Sequence, residues 1–171
     1  MYHNVQRVHE NYPDKKLLFT EGCNEKYDLN RIVNDDPTLA ERYGKSMIHD
    51  FNNGTVGWTD WNILLDQNGG PNHVGNFCFA PVHANTKTGE VTLTRSYYYI
   101  GQFSKFIHPG AKRITSVSSG NNLLSTAFTN VDGSLVIIAL NDSDHPIKYS
   151  VQLGGKTALT SILPHAIQTH V

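Results

Sequence analysis

The sequence predicts an α/β segment followed by an all-β segment. A strand–helix–strand order runs from Leu17 to Trp61, short β-rich runs separated by turn residues follow Gly110, and the texture changes at that glycine. The composition is compatible with this. A chain of 171 residues, 39% hydrophobic and 17% charged, is globular and about as long as one ordinary domain. Lys and Arg number 14 against 15 Asp and Glu, and the net charge of -1 comes without a basic cluster, which excludes a nucleic-acid surface. No run approaches the ~18 apolar residues of a membrane-spanning helix, and the longest, Leu135 to Leu140, has strand length. Cys23 and Cys78 are too few for a disulfide scaffold and have no zinc spacing.

The elements follow in order. Met1 to Asn11 is polar and amphipathic, a short helix with Val5 and Val8 on one face; without an apolar run it is no secretory signal. Pro13-Asp14 breaks it, and Leu17-Leu18-Phe19-Thr20 is a short buried strand. Asp35 and Asp36 are both suited to cap the next helix, with Pro37 in its first turn. Leu39, Tyr43, Met47, Ile48 and Phe51 carry that helix to about Phe51, and Asn52-Asn53-Gly54 stops it. Thr55 to Trp61 reads as a second strand, so the unit is βαβ and the sheet parallel. Two strands cannot form a parallel sheet covered on both faces, which predicts further strands upstream or in a partner. Asp66 to Thr94 is loop-rich, with extended segments at Phe77 to Val82 and Val91 to Thr94 around a Thr88-Gly89 turn. Ser96 to Ile107 is a helix ended by His108-Pro109-Gly110. Strands are then predicted at Arg113 to Ser118, Leu124 to Thr129, Ser134 to Asn141, Ile147 to Leu153, Thr157 to Leu163 and Ala166 to Val171. Asp132-Gly133 is the best hairpin signal, and the set reads as an antiparallel sandwich or barrel.

Glu21 follows the first strand directly, at the carboxyl end where catalytic groups gather in parallel α/β folds, and Gly22 leaves room beside it. On position alone it is equally a solvated loop glutamate. Alternation puts Trp58 and Asp60 on one face of the second strand and Thr59 and Trp61 on the other. A strand-end Trp is either a platform for a sugar ring or a core residue. Asn68 to Asn76 supplies amides suited to sugar hydroxyls, or is a plain turn-rich loop. The nine histidines form no metal-ligand pair, and there is neither a phosphate loop nor a serine nucleophile elbow. Asn53-Gly54-Thr55 and Asn141-Asp142-Ser143 match the glycosylation tripeptide, which matters only in a secreted protein.

Four motifs then occur in order: Leu17-Leu18-Phe19-Thr20-Glu21-Gly22-Cys23, Gly57-Trp58-Thr59-Asp60-Trp61-Asn62, Gly69-Gly70-Pro71-Asn72, and Tyr99-Ile100-Gly101-Gln102-Phe103-Ser104-Lys105-Phe106-Ile107. Together they resemble the C-terminal part of glycoside hydrolase family 30, in its glucosylceramidase (acid β-glucosidase) branch. The resemblance implies the last two strands and helices of a (β/α)8 barrel over residues 1–109, followed by a β-sandwich over 110–171. It implies that Glu21 is the nucleophile of a retaining mechanism and that Cys23, Trp61 and Asn76 contact the substrate, a β-glucoside or glucosylceramide-like glycolipid. The acid/base carboxyl of the family lies on barrel strand four, which has no counterpart here, so the chain alone is expected to be inactive without the upstream barrel part. Gly22 stands where the animal enzymes have alanine. No metal or cofactor is implied, and localisation is not legible because the region that would carry a signal peptide is absent. Two other readings stand beside this one: a family 30 enzyme acting on β-1,6-glucan, xylan or xylosides, and a truncated module that binds carbohydrate without cleaving it.

Overall fold

The computed structural model describes residues 2–25 and 37–171, which divide into two compact units, Met1–Ile100 and Gly101–Val171.

In the first unit, helix α1 (Tyr2–Asn11) leads to β1 (Leu17–Phe19) and a two-residue strand β2 (Asn24–Glu25). Helix α2 (Pro37–Asn52) buries Ala40, Tyr43, Met47 and Ile48 at the spacing of one helical face. The expected cap at Asp35 and Asp36 lies outside the described residues. The helix ends where the Asn53 N–H bonds the His49 carbonyl and Gly54 takes φ +100°, a left-handed conformation that glycine adopts without strain. Strand β3 (Thr55–Trp58) then pairs in parallel with β1, Leu17 opposite Thr55 and Phe19 opposite Trp58, as the βαβ order requires. On the helix side of this pair Phe19 stacks on Trp58 with centroids 4.6 Å apart, and Tyr43 meets Trp58 edge-on at 5.6 Å. The Trp58 indole N–H donates to Asp50 Oδ2 at 3.1 Å. The opposite side presents Leu18, 57% exposed, against Gly57.

β3 closes at Trp58 rather than at Trp61, the sequence expectation. The chain nevertheless continues beside β1: the Thr59 N–H bonds the Phe19 carbonyl, the Trp61 N–H bonds the Gly22 carbonyl, and the Thr59 hydroxyl donates to Thr20 O at 2.6 Å. The stretch expected to be mostly loop holds a small sheet of order β4–β6–β7, built from β4 (Leu64–Asp66), β6 (Val82–Ala84) and β7 (Val91–Leu93). Strand β5 (Cys78–Phe79) pairs instead with β2. The predicted run from Phe77 to Val82 is therefore two strands with Pro81, which has no N–H to give a ladder, between them. Helix α3 (Arg95–Ser104) begins one residue before the expected start and ends three before the expected end.

The second unit is antiparallel. Its larger sheet has the order β13–β10–β9–β8, from β8 (Lys112–Ile114), β9 (Leu123–Thr129), β10 (Leu135–Asn141) and β13 (Ala166–His170). The smaller is the hairpin of β11 (Ile147–Leu153) and β12 (Lys156–Ile162). The Asp132-Gly133 hairpin joins β9 to β10: Gly133 has φ +85° and Asp132 Oδ1 accepts the Ser134 N–H. β10 is the core strand, with Val136, Ile138 and Leu140 fully buried. The expected first strand, Arg113 to Ser118, pairs only as far as Ile114. Asn141 is fully buried, donating to the His145 and Leu163 carbonyls and accepting the Ser143 N–H, so its glycosylation tripeptide is sealed in the fold.

Candidate active site

Glu21 is exposed and stands two residues beyond β1, at the carboxyl end of the parallel pair. Its neighbour Gly22 accepts the Trp61 N–H at 2.8 Å, so a single backbone bond ties the residue after Glu21 to Trp61. Trp61 and Cys23 are partly buried and pack on a cluster of Leu65, Cys78 and Ala80. Burial pushes the Cys23 thiol well above its ordinary range, and its hydrogen bond to Cys78 adds to this. The Cys78 thiol points at the Asn76 carbonyl, 3.6 Å away. Both thiols are thus held protonated, which withholds the thiolate that nucleophilic chemistry needs.

Asn76 arrives from the loop between β4 and β5, which its own polar groups shape. Asp66 Oδ1 accepts the N–H groups of Asn68 and Gly70, and Asn72 Oδ1 those of Val74 and Asn76. Below the loop, His83 Nε2 accepts the Ala80 N–H at 2.9 Å while Nδ1 faces the Asp66 carbonyl at 2.7 Å, which fixes a neutral imidazole with its proton on Nδ1. The Asn76 side-chain amide donates to Glu25 Oε1 at 3.1 Å, across the β2–β5 pair. Segments 21–25, 59–61 and 76–78 therefore meet: Cys23 and Trp61 pack on one cluster, Asn76 bonds Glu25, and Glu21 is adjacent in the chain to the Gly22 that holds Trp61. Trp58 lies on the α2 side, where its ring and indole N–H are engaged by Phe19, Tyr43 and Asp50 and the ring borders Gly22.

Asp60 carries no role in the sequence reading. It shares the α2 side with Trp58, as alternation requires, and accepts the Tyr43 hydroxyl at 3.0 Å. Burial raises its carboxyl to about 6, against the pull of the Tyr43 hydroxyl and the Trp61 N–H, which favour the charge. Among the described residues no group of His, Cys, Asp and Glu gathers as a metal site.

The model of the glycosyl hydrolase family 30 TIM-barrel domain matches residues 2–107. The chain belongs to glycosyl hydrolase family 30. The model of the family 30 β-sandwich domain matches residues 110–170, so the fold is the C-terminal part of the family's barrel followed by its sandwich, as the sequence resemblance implies. Lysosomal acid glucosylceramidase of Mus musculus is 30% identical over 167 residues, 96% of this chain and 32% of its own length. The crystal structure of SrfJ from Salmonella typhimurium is 33% identical with a TM-score of 0.90, covering 98% of this chain and 37% of that one. The structure of an endo-β1,6-glucanase is 26% identical with a TM-score of 0.83, covering 98% of this chain and 37% of that one. The chain thus spans about a third of the length of the curated relatives it matches.

Proposed function

We propose that the chain is the C-terminal part of a retaining β-glucosidase of the glucosylceramidase type, residues 1–109 belonging to the catalytic barrel and 110–171 to the sandwich, with Glu21 as nucleophile. The observation that supports this reading is the Gly22–Trp61 backbone bond, which joins the residue after an exposed glutamate to a partly buried tryptophan at the carboxyl end of two parallel strands. A retaining glycosidase needs an attacking carboxylate and a second carboxyl about 5–5.5 Å away. Glu21 attacks the anomeric carbon, and the aglycone oxygen departs with a proton from the second group, leaving a glycosyl ester on Glu21. Water then attacks that ester, giving its proton back to the same group. Trp61 receives the apolar face of the glucose ring, and Cys23 and Asn76 line the same pocket. The second carboxyl comes from barrel strands outside these residues. Asp60 does not serve: it is engaged by Tyr43 on the α2 side of the sheet.

The test is a chimaera joining the N-terminal part of the Salmonella SrfJ barrel to residues 1–171. A 2-fluoro-glucoside that traps the glycosyl ester should label Glu21, and Glu21→Gln should lose turnover by several orders of magnitude. Labelling of another residue, with Glu21→Gln still active, overturns the assignment. The likeness to an endo-β1,6-glucanase supports a second substrate reading, and faster cleavage of β-1,6-glucan than of glucosylceramide by the same chimaera decides for it.

A further inference from the structure

Asp60 is a half-buried acidic group that the proposed chemistry leaves unused. Its Oδ1 accepts the Tyr43 hydroxyl from α2. On its other side lies Gly22: a methyl built there would stand 3.4 Å from Asp60 Oδ1, and 3.1 and 3.2 Å from the rings of Phe19 and Trp58. The carboxylate therefore sits against the residue whose carbonyl holds the Trp61 N–H. We propose that Asp60 is a positioning residue that braces Tyr43 of α2 beneath the Gly22–Trp61 bond, and so fixes the Glu21 carboxylate and the Trp61 ring relative to one another. The inference rests on the reading of Glu21 and Trp61 as site residues.

The energetics distinguish this from a purely structural contact. The folded carboxyl titrates at about 6 against an ordinary 3.8. Between those values the folded chain holds a proton that the unfolded chain has lost, so this group's contribution to stability falls as pH rises from about 4 to about 6. Above that range the ionised group is a burden on the fold, which is the pattern of groups placed for function. The groups around it are Tyr43 from α2, Cys23 after β1 and Cys78 from β5. Glu21 and Glu25 act on the cysteines, and Arg42 acts on Tyr43. Tyr43 and Cys23 stay neutral through the range, because burial raises both. Asp50, also raised by burial, faces Trp58 and is the competing source of any signal there.

The chain's two tryptophans flank Asp60 and report on it. Tryptophan emission of residues 1–171 should change with a midpoint near pH 6. Asp60→Asn should abolish that transition, and Tyr43→Phe, which removes a bond favouring the charge, should move it upward. In the SrfJ chimaera, Asp60→Asn should lower kcat/KM on an aryl β-glucoside by tenfold or more and displace the acid limb of the pH profile, with a melting temperature at pH 7 unchanged or raised. A transition that survives Asp60→Asn belongs to Asp50 and overturns the brace, as does a folded Asp60→Asn chimaera with the parent kcat/KM and acid limb. A parent chimaera without glycosidase activity refutes the proposed function instead, and the emission titration then decides for or against the brace by itself.

Discussion

Position 22 is closely bordered. A methyl there would stand 3.1 and 3.2 Å from the Phe19 and Trp58 rings, so that these must give by a few tenths of an ångström, and 3.4 Å from Asp60 Oδ1. Phe19 and Trp58 are already stacked and Trp58 is tied to Asp50, so neither ring yields freely. Gly22→Ala should therefore destabilise by about 1–3 kcal/mol, as overpacking does, read as a lower urea midpoint with an unchanged slope. Trp61 is the opposite case. It is partly buried, one side packed on the Leu65–Cys78–Ala80 cluster. Trp61→Ala should cost less than the about 3–5 kcal/mol of a core aromatic, yet weaken binding of a glucose-shaped iminosugar to the SrfJ chimaera. A large loss of melting temperature with unchanged affinity in the folded fraction would make it a core residue. At this scale the strand-end place of Glu21 was legible, whereas Trp61, expected on the second strand, lies three residues beyond β3. The value of Asp60 was not legible, because Tyr43 lies 17 residues away and only the βαβ crossover brings its hydroxyl within 3.0 Å.

Among the elements, the β4–β5 loop is the most closely determined. Gly69 has φ +89°, and a Cβ there would collide with the Cys78 carbonyl, the backbone that positions Asn76 and β5. Both the conformation and the collision oppose Gly69→Ala, so it should cost about 1–3 kcal/mol or more and should detach Asn76 from Glu25. The loss is measurable as urea sensitivity together with weaker iminosugar binding in the chimaera. Helix α2 and the strands β9 to β13 were legible because their apolar periods run for five residues or more. β4 was not, since three residues carry no period, and the extended run expected from Phe77 to Val82 gave no sign that it divides into β5 and β6 with different, distant partners.

For the molecule as a whole, the parallel pair β1–β3 decides what the 171 residues do alone. It is a two-stranded sheet in which Leu18 and Val56 are exposed. A parallel sheet is stable when both faces are covered, and an unpaired strand edge invites association. Glu21 is exposed to water, where electrostatic contributions to a transition state are weak, and on the proposed reading its general acid, typically worth roughly 10²–10⁴-fold, belongs to other barrel strands. Residues 1–171 expressed by themselves should fail to hydrolyse an activated aryl β-glucoside and should self-associate on a sizing column. Robust turnover abolished by Glu21→Gln would show that the second carboxyl lies within this chain.

The sequence by itself determined the change from α/β to antiparallel β, the βαβ unit, the hairpin at Asp132-Gly133 and the placing of Glu21 at a strand end. These depend on local periodicity, turn chemistry and motif order, which a linear string records. Only the tertiary structure decided that Trp61 and Cys23 pack against Cys78, that Asn76 reaches Glu25 and that Asp60 lies under Gly22. Each is a meeting of segments 17 to 55 residues apart, set by sheet pairing and by the helix that crosses between the strands, and pairing across such distances leaves no period in the sequence to read.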